Sequence, residues 1–265
     1  MTGVDLARVV ADVRSAAPLV HCITAAVSMN LVADALLAAG ARPMMTETAA
    51  EAPAMDTVAD ALLVNLGSLS VDGAAGIEPT VTVARSDRRP WVLDPAAVGV
   101  APVRTALAAR LMSSSPAVVR GNASEILALA GHGRGGRGAD ATDTSEAARE
   151  AALSLARTYG CVVAVSGERD LVTDGARTVT IGNGHPLLTR VTGTGCSLGG
   201  LVAACAAVSD PFDAAVTATV WLGLAGERGA GRAPWPGSFR VALVDDLAAL
   251  TPAAVAAGAR VEGRP

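Results

Sequence analysis

A chain of 265 residues that is 51% hydrophobic can bury a substantial core, but with only three Trp, two Phe and one Tyr that core must be built from Ala, Val and Leu. All 21 basic residues are Arg and no Lys occurs, which excludes a Walker A loop, a Schiff-base enzyme and a pyridoxal phosphate anchor, each of which needs a lysine amine. A formal charge of −4 without a long basic run argues against nucleic acid as a partner, the longest apolar run (198–208) is too short to span a bilayer, and four scattered Cys without CxxC spacing indicate neither disulfides nor zinc, so a cytoplasmic protein with free thiols and no membrane partner is expected.

Leu6, Val9, Val10 and Val13 recur at helical spacing over 5–16, and a second amphipathic helix covers 30–39 before Gly40 ends it. Short apolar runs follow at 42–45, 61–65, 91–93, 117–120 and 161–166, each trailed by turn residues and a helix-like segment. That alternation predicts an α/β fold with a mostly parallel sheet covered by helices, whose strands, buried on both faces, read as continuous apolar runs such as Leu62-Leu63-Val64. In such sheets ligands bind beyond the carboxyl edge, which would gather Asn65-Leu66-Gly67, Asp94-Pro95, Arg120-Gly121-Asn122 and Ser166-Gly167-Glu168. The glycine-rich stretch 131–144 reads as a mobile surface loop, because a phosphate loop would follow a strand and this one follows a helix. Residues 171–173 and 178–181, joined through Asp174-Gly175, predict a hairpin at the sheet edge, and the tail from Pro211 reads as helical. No repeat or linker interrupts the chain, so one domain over 1–265 is expected.

The chemistry concentrates in Val191-Thr192-Gly193-Thr194-Gly195-Cys196-Ser197, a glycine-rich turn running into an apolar helix. Its backbone amides and helix dipole suit an anion, and a thiol at Cys196 would be polarised toward thiolate; a tight loop before a buried helix is the plainer reading of the same residues. Asn122 with Glu125 three residues later forms a capping-box pattern. Asp94 and Glu125 could also organise Mg²⁺, and Arg120 could neutralise a polyphosphate. Together these suggest phosphoryl transfer, with Cys196 as the base at the turn. His21 reads as a buried, hydrogen-bonded residue, His132 and His185 as loop residues, and Cys22, Cys161 and Cys205 as small core residues.

The ordered set Pro18-Leu19-Val20-His21-Cys22-Ile23-Thr24, Gly40-Ala41-Arg42-Pro43-Met44-Met45, Leu93-Asp94-Pro95, Arg120-Gly121-Asn122-Ala123-Ser124-Glu125, Thr192-Gly193-Thr194-Gly195-Cys196 and Gly237-Ser238-Phe239 resembles hydroxyethylthiazole kinase over nearly the whole chain. The resemblance implies a ribokinase-like fold with helices on both faces of the sheet, an ATP- and Mg²⁺-dependent kinase of thiamine salvage, and a homotrimer with sites between subunits. It implies that Met45 and Gly193 contact the thiazole alcohol, that Arg120, Ser166, Thr194 and Gly195 contact ATP, that Asp94 and Glu125 belong to the metal–phosphate shell, and that Cys196 is the catalytic base. Two positions depart from the family pattern: Ala25 replaces an Asn, removing any hydrogen bond to substrate, and Ser166 replaces a Thr but keeps the hydroxyl. Ala25 keeps open a kinase of another small alcohol, a hydroxymethylpyrimidine or a sugar. Cys196 paired with His21 or His185 would instead make a hydrolase.

Overall fold

The computed structural model describes residues 3–132 and 144–264, so nearly all of the glycine-rich stretch lies outside the described residues. Helix α1 (Leu6–Ala16) is capped by Asp5, whose carboxylate accepts from the Arg8 amide, and buries the Leu6, Val9, Val10, Val13 stripe. There follow β1 (Leu19–Ile23), α2 (Met29–Ala39), β2 (Arg42–Met44), α3 (Ala52–Asp56), β3 (Ala61–Asn65), α4 (Val71–Ser86), β4 (Trp91–Asp94), α5 (Pro102–Met112), β5 (Val118–Asn122) and α6 (Ala123–Leu129). Then come α7 (Arg149–Tyr159), β6 (Val162–Ser166), the hairpin β7 (Asp170–Thr173) and β8 (Thr178–Ile181), a 3₁₀ turn (Pro186–Arg190), α8 (Thr194–Ala206), α9 (Pro211–Arg232), α10 (Pro236–Ala249), α11 (Pro252–Gly258) and β9 (Val261–Arg264).

Among the described residues nine strands form one sheet in the order β2-β1-β3-β4-β5-β6-β7-β8-β9, parallel from β2 to β6 and antiparallel thereafter. Strand side chains alternate between two cores. Val20, Cys22, Leu63, Val92 and Val118 meet α1, α2, α8 and α9 on one face, while Ile23, Leu62, Val64, Leu93 and Val119 meet α4 to α7 on the other. Small residues let helix and sheet approach closely: a Cβ on Gly199 of α8 would lie 3.0 Å from Leu63 Cδ1.

The tail is not helical to its end. β9 pairs antiparallel with β8 and displaces the hairpin from the sheet edge. Val261-Glu262-Gly263-Arg264 carries one apolar residue, so its strand state comes from the unpaired edge of β8 and not from hydrophobic patterning. No single helix among the described residues is long and apolar enough to cross a membrane.

Candidate active site

Parallel register sets Asn65 opposite Asp94 and Asn122 opposite Ser166, which aligns the carboxyl ends of β3 to β6. The buried Asp94 Oδ2 accepts from Arg120 Nη1 at 3.2 Å and from Asn65 Nδ2 at 3.3 Å, and Arg120 Nη2 donates to Ser166 Oγ at 2.9 Å. One guanidinium thus ties two strand ends together. Burial pulls against its charge, but Asp94, Glu125 and Cys196 outweigh that pull and raise its pKa. Its Nε is buried without an acceptor among the described residues, which suits an oxygen of an anionic ligand.

Glu125 sits in the capping box foreseen from the sequence: Asn122 Oδ1 accepts from the Glu125 amide and Glu125 Oε2 from the Asn122 amide, each at 2.9 Å. Its other oxygen accepts from Ala97 N at 3.0 Å and so holds the Asp94-Pro95-Ala96-Ala97 turn, in which Ala97 has a left-handed φ of 65°. Burial, and then the Asp94 charge, push the Glu125 carboxyl up; burial likewise raises Asp94 against the pull of Arg120. Two buried carboxylates that disfavour one another's charge are a donor pair that a divalent cation would relieve. No cluster of three or more His, Cys, Asp or Glu among the described residues could hold a metal alone. A pair without a full cage fits Mg²⁺, which keeps waters and phosphate oxygens in its coordination sphere.

Gly193 caps α8 at φ 95°, and a Cβ there would lie 2.8 Å from Ser28 Cβ, so this close left-handed turn requires glycine. Ser197 N donates to Gly193 O at 2.8 Å; the amides of Thr194, Gly195 and Cys196 precede that bond, an arrangement that suits an anion. Thr194 Oγ1 is engaged by its own loop, donating to Leu188 O at 2.7 Å, which leaves its main-chain N–H for a ligand. A Cβ on Gly195 would lie 2.9 Å from Arg120 Nη1, so the guanidinium rests directly on the first turn.

Cys196 is half-buried, with the Ser28, Asn65 and Arg120 side chains around its thiol. The expected thiolate is not favoured: burial and the Asp94 charge raise this thiol's pKa, and Ser28, Asn65 and Arg120 only partly oppose them. The helix terminus foreseen from the sequence acts beside Asp94, whose charge raises the thiol, a direction the sequence did not reveal.

The sequence gathered Asn65 at the ligand edge without giving its side chain a role. Its Oδ1 accepts from Gly67 N at 2.7 Å, which turns Nδ2 toward Asp94 Oδ2. Asp170 carried no signal at all; it accepts from Gly167 N at 2.9 Å below the Ser166 turn, and burial pushes its carboxyl up to about 7 against Gly167 and Arg120.

Met45 stands apart from this group, half-buried after the edge strand β2, which β1 separates from β3. His21 is buried and bonded to Asp56 and Thr46, and His185 Nδ1 accepts from Leu187 N, so neither imidazole serves Cys196 and the hydrolase pairing is not formed. His132 is exposed and Cys22, Cys161 and Cys205 are buried, as expected. Ala25 is buried, 3.1 Å from the place a Cβ on Gly67 would take.

A model of the hydroxyethylthiazole kinase family matches residues 10–253. Hydroxyethylthiazole kinases of Cereibacter sphaeroides and Kineococcus radiotolerans are each 51% identical over 249 residues, covering 94% of this chain and 95% and 90% of the relatives. The solved structure of a hydroxyethylthiazole kinase from Pyrococcus horikoshii superposes with a TM-score of 0.90 at 36% identity, covering 98% of this chain and 99% of that one. An ADP complex of Bacillus subtilis pyridoxal kinase aligns with a TM-score of 0.60 at 16% identity over 79% of this chain, a likeness of fold alone. The mostly parallel, helix-covered sheet is the ribokinase-like arrangement expected from the sequence.

Proposed function

The chain belongs to the hydroxyethylthiazole kinase family, and from that premise we propose that it transfers the γ-phosphoryl group of ATP to the hydroxyl of 5-(2-hydroxyethyl)-4-methylthiazole in thiamine salvage. The observation that carries this reading is the contact of Arg120 with Asp94, Ser166 and the first turn of α8, where a cation, free amides and Cys196 meet.

Arg120 and the amides of Thr194 and Gly195 hold the phosphates, and the Cys196 amide faces charge that develops on the transferred group. Cys196 Sγ takes the proton of the attacking hydroxyl. Ser166 steadies Arg120 against the nucleotide, while Met45 and the Gly193 backbone contact the thiazole alcohol. Asp94 and Glu125 would hold Mg²⁺, which supplies neutralisation of the triphosphate. A homotrimer with sites between subunits belongs to the same reading.

Ala25 favours weighing a second acceptor, because a buried methyl offers no hydrogen bond where the family has an amide. The test is ADP release from Mg-ATP with and without the thiazole alcohol, with the hydroxymethylpyrimidine in parallel. Thiazole-dependent ADP is expected. Turnover of the pyrimidine alone would move the specificity, and silence with both would overturn the assignment.

A further inference from the structure

The segment between β2 and α3 lacks regular structure, yet two adjacent residues in it are tied down from three directions. His21, fully buried on β1, places Nε2 2.7 Å from the Thr46 carbonyl oxygen and Nδ1 2.9 Å from Oδ1 of the fully buried Asp56. A carbonyl can only accept, so Nε2 carries a hydrogen, and a second proton lies between Nδ1 and the carboxyl group. Asp56 Oδ2 lies 3.8 Å from Arg89 Nη1. One residue on, the Glu47 carbonyl lies so close to α4 that a Cβ on Gly76 would stand 2.0 Å from it. The Glu47 carboxylate in turn accepts from Ser70 Oγ at 2.8 Å.

A buried ionisable pair is a poor device for stability alone, because well-packed apolar side chains of similar volume do as well. What an apolar pair cannot do is orient a peptide plane. The Nε2–H fixes the direction of the Thr46 carbonyl, and Thr46 follows Met45 directly.

We propose that His21, backed by Asp56, is a positioning residue that fixes the Met45–Thr46 main chain for the acceptor alcohol. This rests on the reading that Met45 contacts the alcohol. Paired amide substitutions test it, because the Gln nitrogen reaches the place of Nε2 and the Asn nitrogen that of Nδ1. Amide hydrogen exchange over 45–49 should rise roughly tenfold in His21→Asn, which loses the Thr46 bond, and stay slow in His21→Gln, which keeps it. KM for the alcohol should rise about tenfold in His21→Asn with KM for ATP unchanged, and recover in His21→Gln. Glu47→Ala, which leaves the buried pair intact, should loosen the same amides and raise the same KM.

Unchanged exchange in His21→Asn, equal losses in both His21 variants, or a KM rise for ATP as large as for the alcohol would each overturn the proposal. So would faster exchange without any change in KM for the alcohol. Should the wild-type enzyme turn over no thiazole alcohol, the functional reading fails by itself, and the exchange measurements still decide whether His21 holds this segment.

Discussion

At the scale of single residues, the base proposed for the reaction is a thiol whose surroundings favour its protonated form. Burial, seconded by Asp94, raises the Cys196 pKa, so the thiolate fraction at neutral pH is small and grows as pH rises. If Cys196 is the base, kcat climbs roughly tenfold per pH unit from neutrality toward the thiol pKa, because only the deprotonated form accepts the hydroxyl proton. Cys196→Ala should lower kcat by about 10²-fold and flatten that limb. Cys196→Asp puts a carboxylate, ionised across the same range, in the same place; it should retain or raise kcat at pH 7 and move the limb well below neutrality. A pH–rate profile of the three proteins, with circular dichroism to verify folding, checks this. An identical profile for wild type and Cys196→Ala would remove the thiol from the proton path. The sequence marked Cys196 through the turn before it, but not the direction of its pKa, which depends on Asp94 from a strand a hundred residues earlier.

At the scale of elements, the site is a meeting of one helix end with four strand ends, and one close join between them is Gly195 against Arg120. A methyl group on Gly195 would stand 2.9 Å from Nη1 and 3.1 Å from Nη2, and must push the guanidinium away from Asp94 and Ser166. The displaced group is the end of a flexible side chain and not backbone, so the helix survives. Gly195→Ala should therefore raise KM for ATP and lower kcat, together costing about 10²-fold in kcat/KM, while Tm changes by only a few degrees. Steady-state kinetics beside thermal unfolding check it; a fall in Tm with normal kinetics would mean that the join serves only packing. This element geometry was half legible. The Asn122–Glu125 capping box and the convergence of Asn65, Asp94, Arg120 and Ser166 follow from strand–turn–helix patterning, because parallel strands must end on one edge. The Asn65–Asp94 bond and the engagement of Thr194 Oγ1 by Leu188 were not legible, since both depend on how a side chain is oriented in the folded chain.

At the scale of the molecule, the parallel half of the sheet follows from repeated apolar runs, whereas its antiparallel margin closes on a strand with almost no pattern of its own. β9 is held by backbone pairing to β8 and by a polar latch just before it. Arg260 donates through Nη1 to Glu227 Oε2 of α9 at 3.1 Å, its amide donates to Asn183 Oδ1 at 2.8 Å, and Asn183 Nδ2 reaches Gly258 O at 3.1 Å. Removing residues 260–265 would strip β8 of its outer partner and expose an edge bearing Val179 and Ile181. Net contributions of about 1 kcal/mol per backbone hydrogen bond, for the few bonds lost, correspond to a fall in Tm on the order of 10 °C, with a new tendency to self-associate. The strand ends that carry Asp94, Arg120 and Ser166 belong to the parallel half, so the truncated enzyme should keep the wild-type KM for ATP at temperatures where it remains folded. Scanning calorimetry, light scattering and nucleotide kinetics on the truncated chain check each part. A large rise in KM for ATP without any loss of Tm would show that the antiparallel margin, through the β6–β7 turn at Ser166 and Asp170, shapes the nucleotide site directly.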